Sequence, residues 1–322
     1  MHQKTTFSRP SRETFVDALG MRRLWKLCAW HTERFMPKSK KTLLVRRTIF
    51  TLLLLGSMIQ NVVGVPTHLE LYHRPLTRFL RTYVVEERIY EGDRERVVTG
   101  VRYGALKEDP EWPKYIDSLD KVDSVWLRTA EWEDRVAFWI NAYNAFVLDT
   151  VVKNYPLPQS GGIVSIRNIP HAWEIKHSLG GQKYSLTDIE EILNGFGDGR
   201  VWFLVCPAAK GGPNLRPYAL STSNILQELE SACGGFCNDP RGVRLDTASN
   251  TLILSAYFEE HAHSFTRPVR TYLPELSTYD LPLRAVVDTI VRRLPQPERD
   301  YILSKHPEIK FSDFDWRLNE AH

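Results

Sequence analysis

The sequence predicts an α+β, or mixed α/β, fold in which one mostly helical domain surrounds a small sheet. Apolar residues recur at helical spacing in several segments, whereas only short segments have the β-branched and aromatic composition of strands. The 322-residue chain is 43% hydrophobic and 25% charged, which is enough apolar material for a sizeable core. We found no internal repeat, and the Pro residues are scattered among loops. These features favour a single domain over residues 66–322.

The first half of this domain is predicted to be helical. We expect an opening helix over residues 69–84 and a second helix over residues 113–119. The clearest helix spans residues 131–153 and ends before Tyr155-Pro156. Its apolar residues follow the i, i+3, i+4, i+7, i+11 pattern of a helix face: Val136, Trp139, Ile140, Tyr143 and Val147.

The middle of the domain combines a short helix with a strand. Ser185-Leu-Thr-Asp188 has the pattern of a capping box, and it predicts a short helix that stops at Gly195. The continuous apolar run over residues 201–206 predicts a buried strand that ends at Cys206.

A further helix and a hairpin are predicted after this strand. Ser221 or Ser223 is expected to cap the helix, whose apolar face includes Cys233. Residues 243–245 and 251–255 are expected to pair as a hairpin.

The charge is divided unevenly along the chain. Residues 1–64 contain 12 Lys and Arg against 3 Asp and Glu, so they contribute +9 to the net charge of +3 and leave −6 for the remainder. Binding to nucleic acid needs a basic face on the folded domain. The acidic remainder therefore argues against a nucleic-acid partner.

The N-terminal part also has the three parts of an export signal. A short positive segment begins at Met36, the apolar run 48–59 follows, and Val62 and Gly64 suit positions −3 and −1 of a cleavage site. We therefore expect residues 36–64 to be a signal peptide and the mature protein to be periplasmic or extracellular.

Two consequences of this assignment concern the segments around the signal. Residues 1–35 are interpreted as an extension that results from a start codon assigned too early. The alternative to cleavage is a membrane anchor formed by residues 48–65, which is the one way in which we expect the chain to contact a membrane.

Three cysteines follow the leader, an odd number that leaves at least one thiol unpaired within the chain. Cys233 and Cys237 either close a small disulfide loop in an oxidising compartment or remain thiols in the core. We found no His and Cys pairs at zinc spacing, no phosphate-binding Gly-rich loop and no dinucleotide fingerprint. The sequence therefore predicts neither a metal site nor a cofactor.

At the helix Arg135-Val-Ala-Phe-Trp-Ile-Asn-Ala-Tyr-Asn-Ala145 the chain resembles the family catalogued as domain of unknown function 547 (DUF547). The resemblance runs in order from about residue 101 to residue 319. It implies a mostly helical domain around a small sheet, often exported in bacteria, with no settled reaction. Its further segments are Ser165-Ile-Arg167, Leu179-Gly-Gly181, Ser185-Leu-Thr-Asp-Ile-Glu190, the run ending in Cys206, Leu252 to Ser255, and Phe314-Asp-Trp-Arg-Leu-Asn319.

The chain departs from the family's pattern at three places. The family usually has Gly-Cys-Pro-Pro after its first cysteine, whereas this chain has Gly211-Gly-Pro-Asn214 and lacks the second cysteine. Glu191 stands where family members commonly have His, and Glu260-His261 replaces their Trp-Tyr. If the family's site pairs a Cys with that His, this chain has lost half of it.

One candidate site is catalytic and centres on Cys206. A thiolate nucleophile needs a nearby base, and His261 or His263, which follow another predicted strand, would supply it. Asn141 would orient that His, in the roles known from papain or transglutaminases. The competing interpretation is that Cys206 is a core thiol at the end of a strand.

The candidate ligand-binding residues are Asn144, Glu190, Arg216 and His171. Asn144 shares an inward helix face with Asn141, where both amides are either structural clamps or groups that line a site. Glu190 is a candidate acid or base, although at most one of two adjacent helix positions faces a cleft. Arg216 suits an anionic ligand or a structural salt bridge, and His171 belongs to a predicted loop.

Two functions from different classes follow. The preferred one is a binding domain of the cell envelope whose site has lost its chemistry, with a small molecule, a peptide or an envelope component as its partner. The alternative is a cysteine-dependent hydrolase or transferase that acts on peptide-like substrates through Cys206.

Overall fold

A computed structural model of the chain describes residues 68–91, 94–266 and 271–321. The predicted extension, signal peptide and alternative anchor lie outside these residues. The described part is mainly helical, and we number its α-helices α1 to α10. Their bounds are α1 His68–Tyr83, α2 Tyr103–Lys107, α3 Glu111–Ser118, α4 Ser124–Thr129, α5 Trp132–Asn154, α6 Leu186–Gly195, α7 Ile225–Cys237, α8 Ala256–Glu260, α9 Leu283–Val291 and α10 Gln296–Lys305.

The strands form small sheets, three of two strands and one of three in the described residues. Their bounds are β1 Val84–Glu91, β2 Arg94–Val101, β3 Gln159–Ser160, β4 Ile163–Val164, β5 His177–Leu179, β6 Gln182–Tyr184, β7 Val243–Asp246, β8 Thr251–Ser255 and β9 Glu308–Ser312. The α+β prediction is confirmed, but the strands are divided among several sheets instead of forming one.

Helix α5 forms the centre of the core. Every residue from Val136 to Val152 is buried, and the helix packs against α1, α2, α6 and α7. A helix that is buried on all sides needs apolar or hydrogen-bonded residues around its whole circumference. Its bounds match the predicted 131–153 closely, as do those of α1 and α3.

The apolar run 201–206 is not a strand, and that prediction was wrong. Residues Gly199–Leu204 form a 3₁₀ helix, and the Asp198 carboxylate caps it by accepting a hydrogen bond from the Arg200 backbone N–H. A continuous apolar run indicates burial on all sides, which a buried helix satisfies as well as a strand does. The run is indeed buried throughout.

Helix α6 confirms the predicted capping box. The Ser185 hydroxyl accepts a hydrogen bond from the Asp188 N–H at 3.2 Å, and the Asp188 carboxylate accepts one from the Ser185 N–H at 2.6 Å. The helix ends at Gly195, as predicted. Two orphan N–H groups are thus satisfied at its first turn.

The predicted cap of α7 was wrong, because Asn224, and neither Ser221 nor Ser223, occupies that position. The Ser221 and Ser223 hydroxyls lie 3.0 Å apart and hydrogen-bond to each other. The Ser221 N–H donates to the Asn224 side chain at 2.8 Å. The serines therefore shape the turn before the helix instead of capping it.

The predicted hairpin is present as β7 and β8, with Val243 opposite Leu254. Strand β9 adds to it in parallel and brings the C-terminal segment beside β8. The hairpin of β1 and β2 was not predicted, since charged residues interrupt its apolar pattern.

The cysteines of the described residues, Cys206, Cys233 and Cys237, are buried free thiols. Cys233 and Cys237 are therefore thiols in the core, which is the second of the two predicted alternatives, and they do not form a disulfide loop. No helix in the described part of the chain is long and apolar enough to cross a membrane.

Candidate functional site

A cleft of about 520 Å³ lies between α6, the 3₁₀ helix Gly199–Leu204, α8 and the C-terminal segment. We call it the aromatic cleft. Its rings are Tyr143, Trp173, Trp202, Tyr257, Phe314 and Trp316. Its ionisable groups besides the tyrosines are Arg167, Glu190, Glu260, His261 and Asp313.

Glu190 is the half-buried carboxyl of the cleft, positioned by α6. Its Oε1 accepts hydrogen bonds from the Tyr143 hydroxyl at 2.7 Å and from Trp173 Nε1 at 3.1 Å. Burial raises the pKa of this carboxyl, the two hydrogen bonds lower it, and the negative charge of Glu260 raises it, with a net upward shift. Glu190 therefore holds its proton to a higher pH than an exposed glutamate does.

His261 lies flat on Trp202, with ring centroids 3.8 Å apart and planes 10° from parallel. Its ring also meets the edge of Tyr257 at 4.5 Å. Burial lowers the pKa of His261 to about 3. The imidazole is therefore neutral at pH 7 and acts as a further ring of the cleft wall.

Cys206 does not line the cleft, although its neighbours Val205 and Pro207 do. The residue is 3% exposed, and burial raises the pKa of its thiol to about 11. Asn319 Nδ2 donates to Sγ at 3.5 Å, and no hydrogen bond in the described residues joins the thiol to a histidine. Cys206 is thus a protonated thiol held inside the core.

The two amides of α5 clamp backbone segments. Asn141 Nδ2 donates to the Leu220 carbonyl at 2.9 Å, and Asn141 Oδ1 accepts from the Leu220 N–H at 2.8 Å. Asn144 Nδ2 donates to the Leu204 carbonyl at 2.9 Å, and Asn144 Oδ1 accepts from the Cys206 N–H at 2.9 Å. Each amide donates one hydrogen bond through its nitrogen and accepts one through its oxygen, which is the geometry of a structural clamp.

The remaining sequence candidates lie away from the cleft. Arg216 Nε donates to the Glu228 carboxylate at 2.8 Å and forms a salt bridge. The His171 side chain is 86% exposed and lies 3.9 Å from Glu174. His263 is exposed in the 3₁₀ helix Ala262–Thr266. Of the eight residues proposed from sequence, the structure brings only Glu190 and His261 together in one cleft, and their roles remain predictions.

Sequence reasoning missed most of the cleft wall. The periodicity places Tyr143 on an apolar helix face, and the segment Phe314-Asp-Trp316 carries only the resemblance to the family. A signal was available at Tyr143 and Trp202, because the polar end of a buried Tyr or Trp needs a partner. That partner is Glu190 for Tyr143 and the Ser264 hydroxyl, at 3.0 Å, for Trp202.

A second group of side chains has the order of a catalytic triad. Thr150 Oγ1 lies 3.2 Å from His177 Nε2, and His177 Nδ1 lies 3.3 Å from the Asp149 carboxylate. Thr150 is 1% exposed, so a substrate cannot reach its hydroxyl. Lys153 pairs with Asp149 at 2.6 Å, and the group is a structural network of the core.

The described residues contain no group of three or more His, Cys, Asp or Glu side chains that could hold a metal ion.

The fold and the cleft define an α+β protein with an aromatic, carboxylate-bearing cleft. Residues 127–237 match the model of DUF547, a family of proteins of unknown function, and this confirms the resemblance to the DUF547 family over that segment. The matched segment includes α5, α6 and α7, whereas His261 and Trp316 lie beyond it. Comparison with curated proteins and with solved structures found no match.

Proposed function

We propose that this DUF547-like protein is an exported binding domain of the cell envelope that holds its ligand in the aromatic cleft. The observation that carries the proposal is the contrast between two sites. The cleft presents ring faces and the Glu190 carboxyl to a space of about 520 Å³, whereas the Cys206 thiol is buried and protonated.

The form of the cleft supports ligand binding. Small-molecule sites are concave spaces of about 300 to 1,000 Å³, walled by apolar and aromatic groups with a few polar groups that orient the ligand. The rings supply such a wall, and Glu190, Glu260 and His261 supply the polar groups. A small molecule, a peptide side chain or an envelope component is the kind of partner that this space accommodates.

The burial of Cys206 argues against the cysteine-dependent hydrolase or transferase. A cysteine nucleophile has to be accessible and to ionise near neutral pH, which requires a lowered pKa. The Cys206 pKa is shifted in the opposite direction. If the family's site pairs a Cys with the His that is common at position 191, Glu191 leaves this chain without that base.

The proposal is tested by a thermal-shift panel of cations, anions, neutral sugars and short peptides. We expect at least one class to raise the melting temperature, because a ligand that binds only the folded state stabilises it. Trp316→Ala should abolish that shift, since Trp316 lines the cleft. Trp126→Ala is the matched control, because Trp126 is also half-buried but lies outside the cleft. A panel in which no compound gives a Trp316-dependent shift would contradict the proposal.

One experiment tests both export and the low reactivity of the Cys206 thiol. The protein is isolated from a periplasmic or secreted fraction, and its intact mass is measured before and after treatment with iodoacetamide at neutral pH. We expect a chain that begins at Val65, in accord with the predicted cleavage after Gly64. We also expect Cys206 to be labelled at least about 100-fold more slowly than in the urea-unfolded protein, because in the folded protein its thiol is buried and has a raised pKa. Retention of residues 1–64 would refute export with cleavage, and rapid labelling of Cys206 would restore the hydrolase alternative.

A further inference from the structure

We propose that the ligand of the aromatic cleft carries a positive charge, as a protonated amine or a quaternary ammonium group, and that Glu190 is its counter-ion. This inference rests on the proposed function and adds the chemical class of the ligand.

Five of the six rings of the cleft, all but Tyr143, form a continuous wall together with the His261 imidazole. Trp173 meets Trp316 edge-on with centroids 5.9 Å apart, and Trp316 meets Phe314 at 4.6 Å. Phe314 stacks on Tyr257 at 5.7 Å, and Tyr257 meets His261, which lies on Trp202. Aromatic faces carry negative electrostatic potential and attract cations. The wall is therefore a surface that favours a positive group over a neutral one.

The structure already shows this wall in contact with a cation. The Arg167 guanidinium lies over the Trp316 ring, 4.8 Å from its centroid. Arg167 is exposed and comes from the 3₁₀ helix Ile166–Asn168, so it approaches from outside the core. The contact shows that the face of Trp316 accepts a cation in the geometry of a cation–π interaction.

The ionisable groups of the cleft have an excess of negative charge. Glu190, Glu260 and Asp313 are three carboxyls against the single guanidinium of Arg167, since His261 is neutral. No ion pair within the described part of the chain includes any of the three carboxyls. A cationic ligand would supply the missing opposite charge.

Glu190 is the carboxyl best placed to bind that charge. Both hydrogen bonds from the described residues, those of Tyr143 and Trp173, fall on Oε1. They hold the carboxyl in position and leave Oε2 for a ligand. A half-buried carboxylate without a cation has lost part of its hydration, and a bound ammonium group would compensate for it.

The experiment compares each cation with its uncharged isostere by titration calorimetry on the full protein. The pairs are choline with 3,3-dimethylbutan-1-ol, and benzylamine with benzyl alcohol. We expect at least one cation to bind about tenfold or more tightly than its isostere, because the isostere loses the charge but keeps the shape.

Glu190→Gln should weaken binding of that cation about tenfold or more. This substitution keeps an oxygen that accepts from Tyr143 and Trp173, so it preserves the local hydrogen bonds. Glu191→Gln is the matched control, since Glu191 is the next residue of α6 but is exposed and does not line the cleft. Should Glu190→Gln unfold the protein, Glu260→Gln, at an exposed lining residue, should weaken binding several-fold.

The inference is overturned if the isosteres bind as tightly as the cations, if neither cation binds at millimolar concentration, or if neither Glu190→Gln nor Glu260→Gln weakens cation binding. A Trp316-dependent shift by sugars or anions alone in the thermal-shift panel would overturn the cationic ligand and leave the proposed function standing. The absence of any Trp316-dependent shift would remove the proposed function itself.

Discussion

Asn144→Leu is expected to lower the free energy of unfolding by about 2 to 5 kcal/mol, because it leaves two buried backbone groups without partners. The Leu204 carbonyl and the Cys206 N–H are both bonded by this one amide. They belong to a segment that has no neighbouring strand to bond them instead. Urea unfolding followed by tryptophan fluorescence measures the change.

The matched control is Asn154→Leu, at the last residue of the same helix. Asn154 donates only to the Thr150 carbonyl of its own helix, at 2.8 Å, and is less buried. We expect this change to cost under about 1 kcal/mol. Equal losses for the two variants would show that the amide of Asn144 is not a specific clamp.

Acidification from about pH 6.5 to pH 4 is expected to destabilise the protein through His73 by up to ~1.4 kcal/mol per pH unit. His73 is almost fully buried, and burial lowers its pKa to about 3. Between pH 6.5 and about 3 the unfolded chain binds a proton at this residue and the folded chain does not. The stabilisation that depends on neutral His73 is therefore fully present above pH 6.5, and it is lost as the pH falls toward the pKa of His73 in the folded protein.

The measurement is the free energy of unfolding at pH 6.5, 5.5 and 4.5 for the wild type and for the double variant His73→Phe/Tyr115→Phe. The double variant removes both partners of the 2.9 Å hydrogen bond between His73 Nδ1 and the Tyr115 hydroxyl, so neither of these two groups is left behind without its partner. Its pH dependence should be shallower by up to ~1.4 kcal/mol per pH unit. An unchanged slope in the double variant would refute the assignment to His73.

Local patterns were sufficient for the elements whose determinants are close in sequence. The capping box of α6 is complete within four residues, and helix α5 repeats its apolar positions over about three turns from Val136 to Val147. Glu190 is a site candidate from sequence because a carboxyl at the centre of this short helix could serve as an acid or base, and that role stays a prediction. None of these inferences required knowledge of distant contacts.

The conformation of residues 201–206 depended on a distant contact. Their composition indicates burial, which a strand and a buried 3₁₀ helix satisfy equally. Two of the backbone groups that a neighbouring strand would have bonded, the Leu204 carbonyl and the Cys206 N–H, are bonded instead by the Asn144 side chain, about 60 residues earlier in the sequence. No local pattern contains that information.

The amino-acid order thus predicted the fold class and five of the ten α-helices of the described residues, because hydrophobic periodicity and capping act over a few neighbouring residues. Tertiary packing alone decided that Cys206 is enclosed in the core and that Trp316 meets Trp173. Both features depend on contacts that form only when the chain is folded. Folding sets the accessibility and the pKa of the thiol, and it brings together the rings of the cleft wall from segments more than a hundred residues apart.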